Sequence, residues 1–400
     1  MNSQKLILLF LVLLVTSSCK QNYNSKNNSH LLKQDPEKSF YIEKDHPFIK
    51  NCSNIFFAQI KCKIEDNKLI FGGYDEKCDS LKFFITDLKT GQQVYKPYEG
   101  GILNVLRKPY SILYFTMFPK GGYGVFNHRF MITYSDSLIL QNLINLNPYS
   151  IEQRAILPIL PSFIGDYNHF YASNYGFKYP FFLLENRIKY YKESYGFEYK
   201  HTKDTSIRKD NIGIKYPSNY AFGPNYFVLP YFYMNSSDNQ NIIASFPHND
   251  SVFFYKNGKC VDQKFFGTKY EYQINEIPDE YAMDMNKQMK FSKGEPNYHE
   301  IYYDPYRNLY YRIFLHRAKY IETEVKKTFN KTPWSLIIAD KDFNIKEEIY
   351  FDDNKDTLNL MNNSIVCSED GIWMHGTKTI NDKKSIYFNL YNLELDESEN

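Results

Sequence analysis

The chain is 400 residues long, with 37 Tyr, 32 Phe and 2 Trp making 18% of it aromatic, at a mean hydropathy of -0.54. That much apolar ring surface can fill a core, which excludes disorder along the whole length, while the polar average excludes a multi-span membrane protein. Lys and Arg number 48 against 46 Asp and Glu, a net charge of +2 with no long single-sign block, so no basic face for capturing nucleic-acid phosphates is evident.

The N-terminus carries the clearest functional signal. Lys5 precedes an unbroken apolar run from Leu6 to Val15, which leads into Thr16-Ser17-Ser18-Cys19. This is the layout of a secretory signal. An apolar run of that length makes about 15 Å of helix, half of the roughly 30 Å that a membrane span needs. It therefore reads as an export signal, not an anchor. Cys19 shifts the reading from secreted to anchored. It resembles the lipobox Cys of bacterial lipoproteins, which is acylated after cleavage just before it. Thr16 and Ser18 stand where the common box has Leu and Gly or Ala, similar to the relaxed form in the Bacteroidetes phylum. The resemblance implies that residues 1–18 are a lipoprotein signal peptide and that Cys19 carries palmitate-type acyl chains. Each buried CH₂ of such chains contributes about 0.8 kcal/mol. Ordinary cleavage, with Cys19 a plain thiol, is the alternative. Residues 19–38, polar and Asn-rich at their start, read as a flexible tether. The expected location is the outer membrane. No acidic residues follow Cys19 directly, so the periplasmic and surface faces both stay open.

Cys52, Cys62, Cys78, Cys260 and Cys367 follow no zinc spacing and no C-x-x-C pattern, so neither a metal nor a cofactor is expected. The first three are close enough in sequence for one disulfide. Isolated small hydrophobes in strands explain them equally well.

From residue 39 to 400 the chain reads as one all-β domain. Tyr and Phe favour the pleated, half-buried surface of a strand. Short strands rich in them alternate with tight polar turns. Residues 69–72 and 81–87 lead through Lys89-Thr90-Gly91 into 92–98. Residues 242–246 and 251–255 lead through Asn257-Gly258 into 260–266, and Asn-Gly is a direct hairpin signal. Residues 309–314, 334–340 and 345–351 repeat the pattern, and Asp370-Gly371 makes a further hairpin. Units of three or four strands in series are the organisation of a β-propeller. Six units centre near residues 75, 125, 180, 250, 320 and 375. The last lacks an outer strand, which a segment between Phe40 and Ile60 is expected to supply, since an open ring would expose sheet edges. A seven-bladed ring and a pair of β-sandwiches are the alternatives. Helical insertions are expected at Glu276–Phe291 and His316–Thr328.

Residues 242–248 (IIASFPH), 303–312 (YDPYRNLYYR) and 335–340 (SLIIAD) resemble a family of uncharacterised Bacteroidetes lipoproteins related to six-bladed β-propeller lipoproteins. The resemblance implies fold and location and adds nothing on chemistry.

The densest polar constellation lies in residues 303–316. Asp304, Arg307, Arg312 and His316 are the candidate ligand-binding set, because the planar fork of Arg suits carboxylates and other anions. The competing reading is a hairpin in which Asp304 bonds its own turn and Arg307 pairs with it, and this reading is preferred. His299-Glu300 lacks the second His of a zinc-protease motif. Residues 368–373 resemble the Asp-box turn of sialidase-like propellers, but with the wrong Gly and Trp spacings. No nucleophile elbow, phosphate loop or dinucleotide fingerprint occurs. Asp-Ser/Thr-aliphatic triplets centred on Ser80, Ser137, Ser251 and Thr357 resemble the O-glycosylation sequon of exported Bacteroidetes proteins. Asp-Ser is also good turn chemistry before a strand.

With no recognisable catalytic set, the first functional expectation is a lipid-anchored envelope propeller that binds an envelope protein or glycan. The second is an envelope glycan hydrolase on the same scaffold. It rests on fold analogy alone.

Overall fold

A computed structural model describes residues 32–42, 61–75, 80–99, 114–126, 130–145, 163–173, 184–202, 205–220, 232–235, 241–281, 284–317, 332–351, 359–380 and 383–394. Its strands form six antiparallel sheets of four strands each. Blade 1 holds β2 (Lys61–Glu65), β3 (Lys68–Asp75), β4 (Ser80–Asp87) and β5 (Gln93–Glu99). Blade 2 holds β6 (Tyr114–Met117), β7 (Tyr123–Phe126), β8 (Phe130–Tyr134) and β9 (Leu140–Asn145). Blade 3 holds β10 (Phe163–Gly165), β11 (His169–Ala172), β12 (Ser194–His201) and β13 (Ser206–Lys215), with helix α1 (Leu184–Lys192) between its second and third strands. Blade 4 holds β14 (Tyr233–Asn235), β15 (Ile242–Ser245), β16 (Ser251–Lys256) and β17 (Lys259–Phe265). Helix α2 (Met285–Gly294) precedes blade 5, which holds β18 (Asn297–Asp304), β19 (Leu309–Leu315), β20 (Trp334–Asp340) and β21 (Ile345–Phe351). Blade 6 combines β22 (Asn359–Ser368), β23 (Gly371–Ile380) and β24 (Lys383–Leu393) with β1 (Leu32–Ile42) as its outermost strand.

The protein is thus an all-β, six-bladed propeller. The count is six, not seven, and the sheets form one ring, not sandwiches. Successive first strands line its centre: β2 lies against β22 and β6, β14 against β10 and β18, and β18 against β22. Blades stack face to face, so middle strands are buried on both sides. β20 shows this with a buried run from Trp334 to Ala339. Outer strands need no such run, and β17 is exposed along its whole length.

The closing strand lies earlier than expected. β1 begins at Leu32, inside the stretch read as tether, and pairs Leu32 with Leu393 and Ile42 with Ile386. Its register shifts between Gln34 and Ser39, around Pro36, which lacks a ladder N–H. An outer edge tolerates that interruption and the polar residues beside it. The first expected helix also moves. Asp279–Tyr281 is a single 3-10 turn, and α2 starts only after Asp284, whose carboxylate accepts from the Lys287 N–H at 3.0 Å. The second expected helix lies outside the described residues beyond Arg317. Helix α1 was not expected.

Blade contacts depend on backbone as well as side chains. Asn257 and Gly258 take φ of 50° and 76°, as a tight hairpin requires. Gly213 of blade 3 approaches that turn so closely that an added Cβ would sit 2.0 Å from the Gly258 carbonyl oxygen.

The meander has one consequence for function. In blades 1 to 5 the first-to-second and third-to-fourth turns emerge on one side of the ring, the turn face, as does the β22–β23 turn of blade 6. The second-to-third connections and the links between blades emerge on the other, the loop face. The turns at 66–67, 257–258, 305–308, 341–344 and 369–370 are short. The loop face carries α1, α2 and the described residues of the connection 266–296.

Candidate functional site

The structure separates the residues that the sequence placed together. Asp304 and Arg307 lie in a turn-face hairpin. Asp304 is fully buried. Its Oδ1 accepts from the backbone N–H of Tyr306 at 2.9 Å, and its Oδ2 from Arg307 Nη1 at 2.9 Å and Tyr311 Oη at 2.8 Å. Burial and the facing carboxylate raise the Tyr311 phenol far above its ordinary value, so it stays a donor. Arg307 also donates to the carbonyls of Ser368 at 2.9 Å and Glu369 at 2.7 Å, clipping blade 5 to blade 6. This is the hairpin reading, extended to a neighbouring blade.

Arg312 is fully buried in the middle of β19. It donates to Ser245 Oγ at 3.0 Å and to the carbonyls of Phe266 at 2.7 Å, Asn249 at 2.8 Å and Phe246 at 3.2 Å. Burial lowers its pKa to about 10, which leaves it charged at neutral pH. Its fork is occupied by blade 4 and offers nothing to a ligand. His316 follows β19 on the loop face. Seven residues of strand separate it from the Asp304 hairpin, about 20 Å at the usual rise. The four candidates therefore form no single binding face.

His316 packs edge-on against Tyr270, Phe314 and Tyr350, and its Nε2 lies 2.7 Å from Ser335 Oγ. Burial pushes its pKa down to about 4, so the ring is neutral at pH 7. A His–Ser contact can activate a nucleophile. Here Ser335 is fully buried within β20, closed to any substrate. Among the described residues, no group of three or more His, Cys, Asp or Glu is arranged to hold a metal.

The loop face contains polar clamps that sequence reading missed. Tyr298 and Tyr272 both donate their hydroxyls to Asp250, the latter at 3.1 Å. Glu348 accepts from Thr268 Oγ1 at 2.6 Å and from the Lys269 N–H at 2.7 Å. Glu295, almost fully buried, accepts from the Asn275 N–H at 2.8 Å and from Arg317 Nη1 at 2.7 Å. Together they pin connection 266–296 to blades 4 and 5. The partners lie 20 to 80 residues apart, so no local motif announces them.

The triplet serines diverge. Ser80 is buried at the start of β4, and Ser137 is exposed in the turn before β9. Ser251 is half-buried and accepts from Gln263 Nε2 at 3.0 Å. Thr357, Cys19 and the link among Cys52, Cys62 and Cys78 lie outside the described residues. Cys260 and Cys367 are free thiols, both raised in pKa by burial.

The family model for DUF4221, a domain of unknown function, matches residues 168–350. A crystal structure of a DUF4221 member from Bacteroides vulgatus is 14% identical, with a TM-score of 0.66 over 92% of this chain and 99% of that one. A protein from Bacteroides fragilis described as exported is 10% identical, with a TM-score of 0.49 over 93% of this chain and 98% of that one. No curated protein matches the chain significantly.

Proposed function

We propose that this protein is a lipid-anchored binding module of the cell envelope. Acyl chains on Cys19 hold it at the outer membrane, and the loop face receives an envelope protein or glycan. The observation that carries the binding role is the pinned connection 266–296. Asp250, Glu295 and Glu348 fix a long surface segment to the ring, leaving Glu271, Gln273, Glu276, Asp279 and Glu280 exposed on it. A fixed segment loses little entropy on binding, which is what recognition without chemistry favours. Export is supported by the apolar run before Cys19.

Cell fractionation of a Cys19→Ala variant in the native host tests the anchor. The wild-type chain is expected in the membrane fraction and the variant in the soluble fraction. Equal partition of the two removes the lipid anchor from the account.

A further inference from the structure

Among the described residues, most exposed large apolar side chains lie at one end of the blades' outer strands. Val94, Ile139, Leu140, Ile207, Val261 and Ile345 are 40% to 62% exposed. Each lies within the first three residues of the outer strand of blades 1 to 5, or in the turn just before it. Every one is therefore at the turn face. Tyr306, 52% exposed in the 305–308 turn, joins them there. Among the described residues, Leu143 and Phe265 lie further along their strands. Single exposed hydrophobes are ordinary on a soluble protein. Six at the same end of five outer strands make a band around the ring's edge.

The sixth blade completes the pattern by other means. Its outer strand is β1, and Leu32, the first residue of β1, pairs with the C-terminal end of β24 at the turn face. The chain leading from Cys19 thus reaches the ring on the side that carries the exposed aliphatics.

We infer that the turn face lies against a lipid bilayer, with its peripheral aliphatic side chains in the headgroup boundary and the loop face turned outward. The inference rests on the reading of Cys19 as the lipid anchor. Lys256, Lys259, Lys341 and Lys346 stand exposed beside Val261 and Ile345, and such side chains keep apolar stems at an interface while their ammonium groups stay wet. Asp262 and Asp342 are interspersed, so adhesion comes from apolar contact more than from attraction to anionic lipid.

The test uses the acylated full chain in vesicles of phosphatidylethanolamine and phosphatidylglycerol, some carrying nitroxide-labelled acyl chains. An environment-sensitive fluorescent residue is encoded at position 207, 261 or 345, and at 276 on the loop face. Quenching several-fold stronger at the turn-face positions is expected. Equal quenching on both faces, or stronger quenching at 276, in protein that sediments with vesicles overturns the orientation and leaves the anchor standing. Acylated protein that stays in the supernatant overturns both.

Discussion

The guanidinium of Arg312 lies 3.7 Å from the ring centroid of Tyr298, while the hydroxyl of the same Tyr298 bonds to Asp250. Arg312 comes from the second strand of blade 5, and Asp250 from a connection of blade 4. One stacked pair therefore ties together two blades and the buried end of the loop face. Replacing Arg312 with Lys keeps the charge but not the fork. A single ammonium in the Nη2 position still reaches Phe246 and Asn249 but leaves the Phe266 carbonyl without its donor, at a cost of about 1–3 kcal/mol. A loss of unfolding free energy of that size, read as a lower urea midpoint at unchanged m, is expected, and an unchanged midpoint contradicts the packing role.

The hairpin clip makes a second, independent prediction. Asp304→Asn removes the charge that holds Arg307 and should cost about 2–3 kcal/mol. The loosening should reach blade 6, because Arg307 also holds Ser368 and Glu369. Faster hydrogen exchange around residues 366–372 is the expected sign. Exchange that changes only within the 304–308 turn contradicts the inter-blade clip.

Acid should weaken the ring through its buried histidines. Burial holds His316 near pKa 4 and His248 near 3, against an ordinary 6.5. A depressed folded value means that the unfolded chain takes up protons first. The stability these neutral rings contribute is complete above about pH 6.5 and is lost as pH falls towards 4. The denaturant midpoint should therefore drop between pH 7 and pH 4.5, and His316→Gln should flatten the drop. An identical pH profile in the variant contradicts the assignment.

Burial should close Ser80 to modification. Mass spectrometry of protein from the native host is expected to find no glycan on Ser80. A modified Ser80 would require β4 to open, because that hydroxyl is covered by its blade.

The ring itself was legible in the sequence because each blade is written locally. Asn257-Gly258 and Asp370-Gly371 mark hairpins without reference to anything distant, and the six expected centres fall one in each observed blade. β1 was misjudged because the outer strand of a blade is packed on one side only. Its stretch from Lys33 to Ser39 then carries the same polar pattern as a tether. The site was less legible for a related reason. Arg307 and Arg312 stand in one motif and look alike, yet one clips blade 6 and the other is sealed by blade 4. Ser80 and Ser137 share a triplet, and only pairing tells strand from turn. Glu295 and Glu348 have no local signature, since each is defined by a partner on a different part of the ring.

The central claim is that the loop face meets the partner. A photo-crosslinking scan in intact cells of the native host tests it most directly, with the reactive residue at Glu276 or Asp279 on the loop face and at Thr90 or Asn308 on the turn face. The account predicts discrete protein or glycan adducts from 276 and 279, and lipid adducts or none from 90 and 308. Discrete adducts confined to positions 90 and 308 would contradict it.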